Sequence, residues 1–109
     1  MLYVLEVYTA MPDKIDDVVA LTQKVAGLLK KHPEKYKWVK SYSAMQHDIG
    51  TMGGFYEVWE FESLADMEKF MAFYPTDKDL KAVHEEFVKL LVPGSHRYEV
   101  VNEVACYKP

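Results

Sequence analysis

Apolar residues occupy both alternating sets of positions in residues 2–10, LYVLEVYTA. Leu2, Val4 and Tyr8 fall on one face of an extended chain, and Tyr3, Leu5 and Val7 on the other. The segment has no breaker and is rich in β-formers, so it predicts a strand covered on both sides. The period then changes. Over 12–31, Ile15, Val18, Val19, Thr22, Val25, Ala26 and Leu29 recur at helical spacing. Pro12 and the acids Asp13, Asp16 and Asp17 suit the start of that helix. Lys30, Lys31 and His32 suit its end, and Pro33 stops it. Residues 36–47 and 55–61 alternate again and predict two strands. The short glycine-rich connection between them favours an antiparallel hairpin. Ser63 is a predicted N-cap ahead of Met67, Phe70, Met71 and Tyr74. Pro75 interrupts, and Thr76 is placed to cap a third helix over 77–91 with the stripe Leu80, Val83, Phe87, Leu90 and Leu91. Pro93-Gly94 ends it, and residues 96–107 predict a final strand.

The order β-α-β-β-α-α-β predicts an α+β fold. It is a ferredoxin-like split βαβ sandwich with one four-stranded antiparallel sheet and helices on one face. Residues 1–109 form a single domain, with no linker or repeat. The helices of one chain cover one sheet face only, and the strands are apolar on both. A second copy is therefore expected on the other face, most simply as a two-fold homodimer.

Half of the residues are hydrophobic and 28% are charged, which excludes a disordered chain. The net charge of −4 argues against nucleic acid as a partner. No apolar run is long enough to span a membrane, and the opening residues do not read as a secretory signal. Cys106 is the single cysteine, so no internal disulfide can form. The expected compartment is reducing, the cytoplasm.

Three segments carry a family resemblance. They are Leu2-Tyr3-Val4-Leu5-Glu6-Val7-Tyr8 leading into the helix that contains Lys14, Tyr56–Asp66 at a strand–helix junction, and Asp79–Phe87. With them the chain resembles the dimeric α+β barrel superfamily, and within it NIPSNAP-like proteins and antibiotic-biosynthesis-monooxygenase-type domains. The resemblance implies dimerisation through the sheets. It leaves open several activities, from haem degradation and quinone-forming oxygenation to none.

His84 sits beside the buried stripe of the third helix and is the catalytic candidate, as a general base or as a haem ligand. Haem-degrading relatives carry an axial histidine in a comparable helix, which Lys81-Ala82-Val83-His84 resembles. The Asn and Trp those relatives also use are replaced here by Val7 and Phe70. No cofactor is expected apart from this haem alternative, and no histidine or cysteine spacing reads as a metal motif. Tyr3, Val7, Tyr42, Trp59 and Phe70 are the candidates for binding a flat aromatic ligand between helices and sheet. Glu6, Glu57, Glu60, Glu99 and Glu103 lie in predicted strands. They are expected to face solvent or to pair with Lys40 or Arg97, because a carboxylate beneath the helices is costly unless paired or protonated. Two functions follow. One is a cofactor-independent or haem-linked monooxygenase acting on an aromatic substrate. The other is a non-enzymatic NIPSNAP-like binding or assembly protein. A cavity beside His84 would favour the first.

Overall fold

Strands and helices alternate as the periodicities require in the computed structural model, which describes residues 1–109. The order is β1 (Leu2–Thr9), α1 (Ile15–Lys31), β2 (Val39–Gln46), β3 (Gly54–Phe61), α2 (Leu64–Phe73), α3 (Lys78–Val88) and β4 (Arg97–Asn102). Short 3₁₀ turns, Pro12–Lys14 and Tyr74–Thr76, precede α1 and join α2 to α3. The sheet order is β2-β3-β1-β4 and every neighbouring pair is antiparallel. β1 and β2 flank α1 in sequence but have β3 between them in space. This is the split βαβ topology of an α+β ferredoxin-like sandwich.

Strand alternation divides the sheet into two unlike faces. Leu2, Val4, Glu6 and Tyr8 of β1 are buried, and opposite them on β3 stand Phe61, Trp59, Glu57 and Phe55, all buried. On this face the helices close the core. α1 contributes Val18, Leu21, Thr22 and Val25, α2 contributes Phe70, and α3 contributes Leu80, Val83 and Phe87. The opposite face carries Tyr3, Leu5 and Val7, all half-buried, with Val58 half-buried and Tyr56, Met45 and Val101 exposed. It has an apolar centre at Leu5, Val7 and Val58, is flanked by Glu60, Arg97, Glu99, Ser41 and Ser43, and has no helix over it.

Element ends differ from expectation where the ladder runs out of partners. β2 begins at Val39, opposite Phe61, the last residue of β3. Residues 36–38 have no strand to pair with and form a turn. β4 ends at Asn102, opposite Leu2, so 103–107 continue without a ladder. α3 stops at Val88 as Lys89 and Leu90 tighten onto Glu86 and Phe87, and Leu91 then bridges to Ala10. In the β2–β3 connection, Gly53 has φ +75° and a Cβ there would stand 2.8 Å from the Ala10 carbonyl oxygen. Only glycine combines that conformation with that approach.

Asp77, not Thr76, caps α3. Its carboxylate accepts from the Leu80 backbone N–H at 3.3 Å and from the Tyr36 hydroxyl at 2.6 Å, and it pairs with Lys35 Nζ at 2.6 Å. One buried acid thus ties the turn after α1 to the start of α3. Burial pushes this carboxyl up. The hydrogen bonds from Lys35, Tyr36 and Leu80 outweigh burial and hold it below the ordinary value of 3.8. Its contribution to stability is therefore present above that value and lost as pH falls through the lower folded value. Asp77→Ala is expected to lower the unfolding free energy by about 2–4 kcal/mol at neutral pH, since a cap is lost and the Tyr36 hydroxyl is orphaned. Urea titration checks this, and the deficit should shrink in strong acid.

Candidate functional site

The apolar register of the two central strands sets two acids face to face. Leu2, Val4 and Tyr8 select Phe61, Trp59 and Phe55 as partners, and the residues left opposite each other are Glu6 and Glu57. Both are buried on the helix side of the sheet. Like charges directly opposite in a ladder are destabilising, so this pair needs partners. Glu6 accepts the Trp59 indole N–H at 2.7 Å through Oε2, and its Oε1 meets His96 Nε2 at 2.9 Å. Glu57 accepts the Tyr42 hydroxyl. The Tyr8 hydroxyl, on the same face, is buried without a hydrogen-bond partner.

These contacts do not fully offset burial. Desolvation, then the nearby Glu6 carboxylate, pushes Glu57 up from the ordinary 4.5 to about 7, against the pull of Tyr42 and His96. Glu57 is therefore poised to gain or lose a proton near neutrality. The tyrosines around it are also pushed up, Tyr42 by burial and then Glu57, and Tyr74 by burial and then Glu6. They remain hydrogen-bond donors.

Two cavities adjoin the acids. The smaller, of about 30 Å³, is lined by Glu6, Glu57, Thr22, Tyr74 and His84 among others. The larger, of about 250 Å³, has walls of Trp59, Phe61, Phe70, Tyr74 and Tyr98, with Glu6 as its one charged side chain. Glu6, Trp59 and Tyr74 belong to both. A cavity of roughly 150 Å³ is enough for benzene, so the larger space suits a ligand of one or two rings.

Each residue singled out from the sequence has a definite place. Trp59 and Phe70 line the larger cavity. Tyr42 stands behind it, with its ring 4.5 Å from that of Trp59 and its hydroxyl on Glu57. His84 borders the smaller cavity and packs edge-on against Tyr74 at 5.9 Å. Tyr3 and Val7 lie on the other face of the sheet, because they alternate with Val4 and Glu6. They cannot reach a ligand between helices and sheet of the same chain. The expectation that strand acids face solvent or pair with Lys40 or Arg97 holds for Glu99, exposed and 3.7 Å from Arg97, and for exposed Glu103, and not for Glu6 and Glu57, which are buried. His96, unremarkable in sequence, is the neighbour of Glu6. The signal for the pair was parity, since Glu6 alternates in step with Leu2, Val4 and Tyr8, and Glu57 with Phe55, Trp59 and Phe61.

His84 does not fit an axial haem ligand. The cavity it borders, of about 30 Å³, is far too small for a porphyrin, and the larger cavity has no histidine in its wall. No group of three or more His, Cys, Asp or Glu side chains is arranged to hold a metal ion. No helix is long and apolar enough to cross a membrane.

No protein-family model matches the chain, and no curated protein matches it. Solved structures do. An antibiotic biosynthesis monooxygenase matches with a TM-score of 0.71 and 15% identity, over 96% of this chain and 100% of that one. An uncharacterized NIPSNAP domain protein from Burkholderia xenovorans matches with a TM-score of 0.73 and 14% identity, over 99% and 100%. A NIPSNAP family protein from Agrobacterium tumefaciens matches with a TM-score of 0.73 and 16% identity, over 94% and 85%. The structural neighbours thus come from the two groups that the sequence resembles. At such identities the likeness establishes the fold.

Ionisation of Glu57 opposes folding. The cost is absent below 4.5, grows up to about 7, and is complete above it. Glu57→Gln keeps an acceptor for Tyr42 and removes the charge. It is expected to be more stable than the native chain by about 2 kcal/mol at slightly alkaline pH, with the gap closing toward pH 5. Thermal unfolding of both proteins across that range measures the crossover.

Proposed function

We propose that this chain is a small-ligand domain that holds a flat aromatic molecule in the larger cavity, with the acid pair as its proton-transfer group. The observation that carries this reading is an aromatic-walled space of about 250 Å³ with a buried carboxylate, Glu6, in its wall. Burial and a like charge alongside are marks of an acid–base group; Glu6 brings the pair to the cavity wall, and the raised proton affinity resides on Glu57 behind it.

The enzyme form of the proposal is a cofactor-independent monooxygenase. Glu6, in contact with the ligand, takes a proton from an activated position and becomes neutral, which leaves the negative charge on the ligand and relieves the repulsion with Glu57 opposite. The electron-rich anion then reduces oxygen. An activated CH₂ becomes a carbonyl, with one oxygen atom kept and the other released as water with the two hydrogens. His84, across the smaller cavity, is the candidate for passing the proton to solvent. Trp59 and Phe70 hold the ring, and Tyr42 orients Glu57 through its hydroxyl. The exposed cysteine, Cys106, fits a reducing compartment, and we place the protein in the cytoplasm.

A second reading, a non-enzymatic binding or assembly protein, is favoured by the uncovered sheet face. Leu5, Val7 and Val58 are only half-buried and lie in a row across β1 and β3. A second copy packed there would cover them, forming a homodimer.

Two experiments test these readings. Titration with oxindole, a flat two-ring molecule whose activated CH₂ would become the carbonyl of isatin, is expected to shift the Trp59 indole N–H signal in NMR spectra. The protein should also raise oxygen uptake above the spontaneous rate, by a margin lost in Glu6→Gln. A shift without oxygen uptake would leave a binding protein, and no shift would end the small-ligand reading. Separately, Val7→Asp is expected to convert a dimer to monomers, measured by sedimentation, with at most a small change in monomer stability because the site is half-open.

A further inference from the structure

The charge inside the core is one-sided. Glu6 and Glu57 face each other beneath the helices, and neither adjoining cavity has a lysine or arginine in its wall. The side chains near them able to carry a positive charge are two histidines: His96, at 2.9 Å from Glu6 on the side of β4, and His84, which shares the smaller cavity with both acids. Buried carboxylates are ordinarily matched by a fixed cation, and here the place beside Glu6 where one would stand is the larger cavity. Apart from Glu6, that cavity is lined by Trp59, Phe61, Phe70, Tyr74 and Tyr98 with the aliphatic Val4 and Met71. Trp59 and Phe70 lie with ring centroids 5.4 Å apart, and Phe70 meets Tyr74 at 6.0 Å, so these three rings form one continuous wall, with Tyr98 on β4 directly opposite Glu6 in the ladder. Aromatic rings around a space that also holds a carboxylate attract organic ammonium groups, through the negative ring faces and the full charge together.

We infer that the ligand of the larger cavity is a small organic cation, an apolar body carrying a protonated or quaternary amine, with its ammonium group against Glu6 in the space lined by Trp59, Phe70, Tyr74 and Tyr98. The inference rests on the small-ligand reading and adds the charge of the ligand to it. It also states what the site rejects. A carboxylate or phosphate ester of the same size would place a third negative charge beside Glu6 and Glu57, with no base to meet it.

The test compares three probes of similar size on the full chain: benzyltrimethylammonium, neutral 2-phenylethanol and anionic phenylacetate. Binding is followed by the Trp59 indole N–H signal, assigned by its loss in Trp59→Phe. The cation is expected to bind about tenfold more tightly than the neutral probe, and the anion not to bind measurably. In Glu6→Gln the advantage of the cation over the neutral probe should disappear while 2-phenylethanol still binds. Equal binding of the cation and the neutral probe by the native chain, or binding of phenylacetate, would overturn the inference and leave the small-ligand reading intact. Silence of all three probes would overturn both. The comparison on the native chain stands even if Glu6→Gln does not fold.

Discussion

The register between β1 and β3 is the constraint on which the rest of this structure depends. Leu2, Val4 and Tyr8 must face the helices, and so must Phe55, Trp59 and Phe61. A slip of one residue in either strand would turn all three of that strand's core residues to the other face. Once those six are placed, Glu6 and Glu57 have no other position than opposite each other in the core. The fold is therefore stabilised by the same alternation that imposes its least favourable contact. The surroundings divide the burden. The Trp59 indole and His96 attend to Glu6, and the Tyr42 hydroxyl attends to Glu57. What they leave uncompensated appears as the raised proton affinity of Glu57.

A core that needed only stability would carry a leucine at either position. The acids instead sit where α1, α2 and α3 do not fully close over the sheet, beside a cavity walled by rings. Two acids, a reluctant charge and an unfilled aromatic space coincide within a few residues of the middle of β1. This coincidence is the physical case for a site. The location also explains the different standing of the two buried acid networks. Asp77 has a lysine, a tyrosine and a backbone amide around it and serves the fold. Glu6 and Glu57 have no fixed cation and bear the marks of function.

The solved structures with this fold include both a monooxygenase and NIPSNAP proteins, so the architecture accommodates more than one purpose. Its two sheet faces separate the roles. The helix-covered face holds the acids and the cavity. The other presents Leu5, Val7 and Val58, whose half-buried state is that of a surface suited to a second sheet. Tyr3 and Val7 belong to this second face, which removes them from the binding residues of the same chain.

Local pattern was enough to determine the elements, their order and the α+β class, because period and breakers are properties of short segments. Pro33, Pro75 and the glycines before β3 mark their boundaries directly. Strand ends were less legible, since β2 and β4 stop where a neighbour stops, at Phe61 and at Leu2. Of the site, the sequence pointed to Trp59, Phe70, Tyr42 and His84 by residue type, and the alternation of Glu6 and Glu57 with core residues was already visible in it. That the two acids meet, that His96 comes from a position ninety residues away to join Glu6, and that the larger cavity opens on Glu6 and not on His84 were decided by tertiary structure. The reason is physical. Periodicity assigns a residue to a face, but only the pairing of distant strands and the packing of helices over them determine which side chains share that face and how much space they leave.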